Sequence, residues 1–191
     1  MGLEQRPQFS GTDVHLKALA DLIPVHKDKL MHDWREEVRR LPAAQKLDAP
    51  TLNDMMPRVL DELARALRAG YTESVTDIYL KEGPRLHGLE RLHAGFDIVE
   101  VVSEYSILHE LVQRLAETHG VDISGEPAVI INRVFDRAIA AAVDTYAREK
   151  AIELQQRREE HLSFVVHDLR TPLTSLRLRA EFHAAAETAA P

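Results

Sequence analysis

Apolar side chains recur three and four residues apart along almost the whole chain, and this spacing constrains the fold more than any other feature. It is the spacing of one face of an α-helix, and no segment shows the two-residue alternation of a half-buried strand. Ala, Leu, Glu and Arg dominate the composition, while aromatic residues make up only 5% of the chain. We therefore predict an all-α fold: a helical bundle followed by a long C-terminal helix that forms a dimeric coiled coil.

Proline, glycine and capping signals divide this pattern into separate helices. The predicted helices cover residues 12–23, 25–41, 52–67, 72–81, 84–94, 96–118 and 127 to beyond 178. Pro24 is expected to interrupt the first helix, and residues 42–50 to form a connection. Thr51 and Asp54 resemble a capping box, and Pro57 is expected to kink the next helix or delay its start.

The composition excludes several classes of function. Without cysteine, the chain has no disulfide, thiolate metal site or thiol nucleophile. It contains no run of about 18 apolar residues, and residues 1–10 lack the apolar core of a signal peptide. The net charge of -7 comes from interspersed acidic and basic residues, which argues against broad nucleic-acid binding. We expect a cytoplasmic protein that binds neither nucleic acid nor membrane.

The most informative motif is the string HLSFVVHDLRTPLTSL at residues 161–176. If its leucines and valines form a buried helical stripe, His167 lies on the flank of that stripe, with Thr171 one turn further along the same face. Asp168 can reach the edge of the imidazole ring. A neutral imidazole whose Nδ1–H is held by a carboxylate presents Nε2 as a nucleophile. A lone His–Asp pair on a helix is ordinarily just solvated, but the complete string favours a reactive histidine.

This string resembles the H-box of sensor histidine kinases, in which the histidine accepts a phosphoryl group from ATP. The resemblance implies a signalling helix or linker at residues 147–160 and a truncated HisKA-type dimerisation and phosphoacceptor segment at residues 161–191. It implies that His167 is the phosphoacceptor, that Asp168 assists its activation and that Thr171 orients water for dephosphorylation. The implied partners are a second copy of the chain, a response regulator receiver domain and a histidine kinase catalytic domain.

No nucleotide-binding motif accompanies the H-box. The strings GxxxxGK[ST] and GxGxxG are absent, and the only asparagines, Asn53 and Asn132, precede the histidine. The resemblance therefore implies that ATP and Mg²⁺ bind to a separate catalytic domain and that this chain binds no cofactor itself. Although the motif is that of a transferase, we expect this chain to be inactive alone, and whether it counts as an enzyme stays open.

Residues 12–146 occupy the place where a kinase carries its input domain, and residues 1–11 are expected to be disordered or loosely packed. The stretch HGLERLHAGFDIVEVVSEY at residues 87–105 resembles the all-α N-terminal domain of RsbRD-type stress regulators. That domain also precedes kinase modules. The resemblance implies a helical-bundle sensor or dimerisation domain whose signal no motif reveals.

The same stretch contains polar residues that a buried helix would not normally carry: His87, Arg91, Glu104 and Tyr105. They either line a ligand site or form a polar network between helices, and we favour the network. The three histidines of this region do not share one helical face at ligand spacing, and no HExxH motif occurs. No haem or metal site is expected.

The leading hypothesis is the sensory and phosphoacceptor portion of a cytoplasmic two-component sensor histidine kinase, a phosphoprotein whose His167 passes its phosphoryl group to a response regulator. Two alternatives stay open. The first is a non-enzymatic helical scaffold or stress-signalling sensor with a vestigial H-box. The second is a ligand-binding bundle unconnected with kinases, which predicts a formed pocket and saturable binding.

Overall fold

The computed structural model describes residues 11–48, 52, 55–70 and 83–188, with side chains for all of these except residues 11–13, 46 and 171–188. The described residues form six α-helices and a short 3-10 helix, and no strand occurs among them. The all-α prediction is confirmed. In this part of the chain, no helix is both long and apolar enough to span a bilayer.

The α-helices are named in chain order. They are α1 (Gly11–Val25), α2 (Lys27–Val38), α3 (Met56–Ala69), α4 (Gly83–His93), α5 (Ile98–Thr118) and α6 (Glu126–Thr188), with the 3-10 helix at Ala43–Lys46 between α2 and α3. The predicted helix over residues 72–81 and the predicted capping box of Thr51 and Asp54 lie outside the described residues.

Two proline effects differ in part from the sequence prediction. Pro24 does not interrupt α1, which continues to Val25. The backbone N–H of His26 donates to Leu22 (3.0 Å), and the carbonyl of His26 accepts from Leu30 (2.9 Å), so helical bonding continues across the junction with α2. One proline removes only one such bond, and here the flanking bonds are kept. Pro57 lies in the first turn of α3, where a proline has no helical bond to lose.

Helices α1 and α3 pack together, and α2 packs against α5. Their contact faces supply most of a continuous hydrophobic core, which α6 completes with side chains such as Val134 and Phe135. Trp34 on α2 is fully buried, and its indole Nε1 donates to the backbone carbonyl of Glu104 on α5 over 2.8 Å. This bond satisfies the one polar atom of a large core side chain and links the two helices.

A capping box starts α5. The Asp97 carboxylate accepts from the backbone of Glu100 (2.8 Å), and the Glu100 carboxylate accepts from the backbone of Asp97 (2.9 Å). Glu100 also accepts from the backbone of Ala43 over 3.0 Å. The first turn of α5 is therefore held both by its own cap and by the 3-10 helix.

The chain divides into two units, Met1–Glu149 and Lys150–Pro191. The first unit contains the hydrophobic core. In the second unit no side chain is buried among residues 150–170, where burial is described. The motif at residues 161–176 belongs to this second unit.

Candidate functional site

The predicted phosphoacceptor lies on the exposed surface of α6. The His167 side chain is 80% exposed and that of Asp168 is 59% exposed. Nδ1 of His167 lies 3.5 Å from Oδ1 of Asp168, too far for a strong hydrogen bond but close enough to place negative charge beside that nitrogen. The other ring nitrogen, Nε2, is the one available to a reacting partner.

The two residues that complete the motif are described through their backbone only. Thr171 and Pro172 belong to α6, and the side chain of Thr171, the predicted water-orienting residue, lies outside the described side chains. Because proline has no N–H, Pro172 cannot donate to the carbonyl of Asp168, which lies four residues before it. One helical hydrogen bond is thus missing directly beside the histidine.

Large apolar side chains surround this pair on α6. Leu162, Phe164, Val165, Val166 and Leu169 are all exposed. Leu173 and Leu176, which would continue the stripe, lie beyond the described side chains. Such a run of exposed apolar residues on one helix is typical of a surface that another helix covers.

A second cluster lies in the core of the first unit. His87 and Arg91 from α4 meet Glu104 from α5, and all three residues are fully buried. Nε2 of His87 donates to Oε2 of Glu104 over 2.8 Å, and Nε of Arg91 donates to both carboxylate oxygens over 2.9 Å. Arg91 also donates to the carbonyl of Leu52 over 2.6 Å. These bonds compensate for the cost of removing a carboxylate and a guanidinium from water.

Aromatic rings close the space around this cluster. The Arg91 guanidinium lies 4.9 Å from the centre of the Phe96 ring. The rings of His87 and Tyr105 meet edge to face, with centres 5.3 Å apart. The structure therefore brings the four predicted polar residues together. Because the charged groups have no exposed surface, a ligand could reach them only after local opening of the domain.

A third feature, which no sequence pattern indicates, is a cavity of about 150 Å³ between α2 and α5. Its apolar wall includes Leu30, Leu111 and Leu115, and charged side chains and two histidines lie around it. In the sequence these leucines have the spacing of ordinary core positions. Spacing shows which face of a helix is apolar, but it does not show where two packed faces leave a gap. Among the described residues, no group of three histidine or carboxylate side chains is arranged to hold a metal ion.

No protein-family model, no curated protein and no solved structure matches this chain. The class defined by fold and site is an all-α protein with a buried ionic cluster in one unit and an exposed histidine–aspartate pair in the other. A functional assignment depends on the chemistry of these residues.

Proposed function

We propose that this chain is the sensory and phosphoacceptor portion of a cytoplasmic two-component sensor histidine kinase. The observation that carries the proposal is the exposed His167–Asp168 pair within the H-box string on α6. In the proposed reaction a catalytic domain supplies ATP in its Mg²⁺ complex, His167 accepts the phosphoryl group, and a response regulator receives it.

Exposure of the imidazole supports a nucleophilic role. Nε2 attacks the γ-phosphorus of ATP, the N–P bond forms, and the bond from phosphorus to the bridging oxygen breaks to release ADP. Nδ1 keeps its proton during this step, so the phosphorylated ring carries a positive charge. Asp168, with Oδ1 3.5 Å from Nδ1, is placed to balance that charge.

The missing backbone bond at Pro172 supports a deformable helix at the reaction site. A signal that bends or rotates α6 at this point would change how His167 is presented to the catalytic domain. Most of the first unit would then serve as the input domain, consistent with its own core and its place before the H-box.

The exposed apolar side chains near His167 support a homodimer. Leu162, Val165 or Val166, and Leu169 recur at three- and four-residue spacing and are all more than one third exposed. A second copy of the helix offers a matching stripe and is the simplest cover for it. Light scattering should give a mass above that of one 21.6 kDa chain at high concentration, and a concentration-independent monomer would contradict the dimer.

The direct test is phosphoryl transfer to the purified chain. Incubation with γ-labelled ATP and a separately supplied histidine kinase catalytic domain should label the protein with an acid-labile, base-stable N–P bond. His167→Gln should abolish labelling. His161→Gln is the matched control, because His161 is also exposed on α6, six residues earlier, and this variant should be labelled like the wild type.

The role of Asp168 is tested in the same assay. Asp168→Asn removes the charge beside Nδ1 and should slow labelling about tenfold, less than a well-aligned acid or base provides. Equal labelling of the wild type and His167→Gln, or no labelling of the wild type with any catalytic domain supplied, would refute the phosphoacceptor role. The latter result would favour the scaffold alternative.

A further inference from the structure

The cavity between α2 and α5 has the two chemical parts of a small-molecule site. Leu30, Leu111 and Leu115 form its apolar wall, and each of them is buried to at least nine tenths. The volume of about 150 Å³ is close to that of apolar cavities that accept one benzene ring. The hydrocarbon part of a ligand with a single ring would fit against these leucines.

The polar side of the cavity carries excess positive charge. Lys29 and Asp33 pair with each other, with Nζ and Oδ2 2.9 Å apart. Arg114 lines the same cavity, and its guanidinium makes no hydrogen bond or ion pair with any residue that the structure describes. An anionic group on the ligand would therefore meet a guanidinium that is not already paired with a carboxylate.

Two histidines lie at one end of the cavity. The rings of His26 and His119 are 4.7 Å apart between centres. Nδ1 of His119 donates to the carbonyl of Leu115 over 2.9 Å, which leaves Nε2 of that ring for other partners. Imidazole nitrogens add hydrogen-bonding capacity to a site otherwise formed by leucines and one cation.

We infer that this cavity binds a small carboxylic acid with one ring or an equally compact hydrocarbon body, placing the body against Leu111 and Leu115 and the carboxylate at Arg114. A neutral hydrocarbon would leave the guanidinium unused, and a purely polar anion would leave the leucine wall in contact with water. A leucine wall beside a guanidinium therefore selects a molecule with both a hydrocarbon body and a carboxylate.

This inference goes beyond the proposed phosphoacceptor function and does not depend on it. The binding site lies in the first unit, and its test needs neither ATP nor a catalytic domain. If His167 proves not to be phosphorylated, the site is unaffected, and the converse also holds.

The test is a titration of the whole protein with benzoate, followed through the methyl NMR signals of its leucines. Saturable shifts at Leu111 and Leu115 are expected, with a Kd of about 1 mM for so small a ligand. Benzyl alcohol, which keeps the ring without the charge, and acetate, which keeps the charge without the ring, should both bind more weakly.

Arg114→Gln tests the charged contact and should weaken benzoate binding about fivefold, a modest change because this guanidinium is exposed. Arg85→Gln is the matched control: Arg85 is also exposed but lies on α4, outside the cavity lining, and the variant should bind like the wild type. The inference is overturned if the leucine shifts do not saturate, if Arg114→Gln binds benzoate as the wild type does, or if benzyl alcohol or acetate matches benzoate.

Discussion

Among the described residues, two histidine–carboxylate pairs lie in opposite environments. In the first unit, His87 and Glu104 are fully buried, and their closest side-chain atoms are 2.8 Å apart. In the second unit, His167 and Asp168 are 80% and 59% exposed, and the corresponding distance is 3.5 Å. The residue types are alike, but the two pairs differ in exposure and therefore in which groups can contact them.

The buried pair of His87 and Glu104 has Arg91 as a third partner. A carboxylate removed from water requires charge compensation and several hydrogen bonds, and Arg91 supplies both to Glu104. The exposed pair is solvated by water and needs no such partner, so His167 keeps a ring nitrogen available for chemistry. A histidine beside an acid thus indicates a reactive site only where a substrate can reach it.

The largest effect is expected from removing the charge at the centre of the buried cluster. Glu104→Gln leaves the Arg91 guanidinium buried without its counter-charge, and should lower the free energy of unfolding by about 4 kcal/mol. Asp168→Asn, the same change at the exposed pair, should alter stability by less than about 0.5 kcal/mol. Urea unfolding of both variants measures the contrast.

Glu110→Gln provides a control on the same helix as Glu104, because Glu110 is exposed on α5. It should resemble Asp168→Asn. Similar losses of stability in Glu104→Gln and Glu110→Gln would show that the buried cluster has no special structural role.

The next largest effect concerns the position of α4, which carries His87 and Arg91. A Cβ at Gly88 would lie 2.2 Å from the carbonyl oxygen of Ala142 on α6, so Gly88→Ala must push the two backbones apart. We expect a loss of about 3 kcal/mol in thermal or urea unfolding. Gly120→Ala is the comparison: Gly120 has a φ of +65°, but its Cβ would meet no atom within 4 Å.

Gly120→Ala should cost only about 1 kcal/mol, from backbone strain in the left-handed region. An equal or smaller cost for Gly88→Ala would mean that α4 can move without disturbing the core, contrary to the packing observed around the buried cluster.

The smallest effect concerns a partly buried histidine between these two extremes. His109 stacks on Phe135, with ring centres 4.7 Å apart, and burial lowers its pKa from the ordinary 6.5, although nearby Asp136 and Glu110 oppose that shift. As the pH falls below 6.5, His109 takes up a proton in the unfolded chain before it does so in the folded protein. The free energy of unfolding therefore decreases as the pH falls. His109→Gln should therefore show a shallower decrease in Tm than the wild type on acidification from about pH 7 to pH 5.

His93→Gln controls for loss of an imidazole, because His93 is an exposed histidine on α4. Thermal melts across the pH range compare the two variants with the wild type. If the profile of His109→Gln ran parallel to that of the wild type, partial burial of His109 would not contribute to the pH dependence of stability.

Much of the helical architecture could be predicted because helix formation depends on local spacing. The C-terminal end of α5 at Thr118 agrees with the prediction, and Gly120 follows it with a φ of +65°. The break between α1 and α2 was predicted at Pro24 but lies at His26, and the 3-10 helix Ala43–Lys46 was not predicted within its connection. Whether a helix continues past a proline, or a connection tightens into a helical turn, depends on tertiary packing, which overrides local propensity.

The exposed pair on α6 and the buried cluster of α4 and α5 also differ in how far the sequence could predict them. His167 and Asp168 are adjacent in sequence, so their proximity on a helix followed from the motif alone. Glu104 could be singled out as a polar residue, but its bonds to His87 and Arg91 span 17 and 13 positions. The cavity at Leu111 and Leu115 left no sequence signal, because it arises where the faces of α2 and α5 fail to meet completely.

The sequence by itself determined that the described part of the chain is helical and that His167 and Asp168 lie side by side on one helix, since both follow from spacing within a few turns of one helix. Only the tertiary structure decided that Glu104 is paired with Arg91 and that α2 and α5 leave a cavity between them beside Arg114. The reason is physical: burial and charge compensation depend on which helices pack together, and that packing joins residues far apart in the chain.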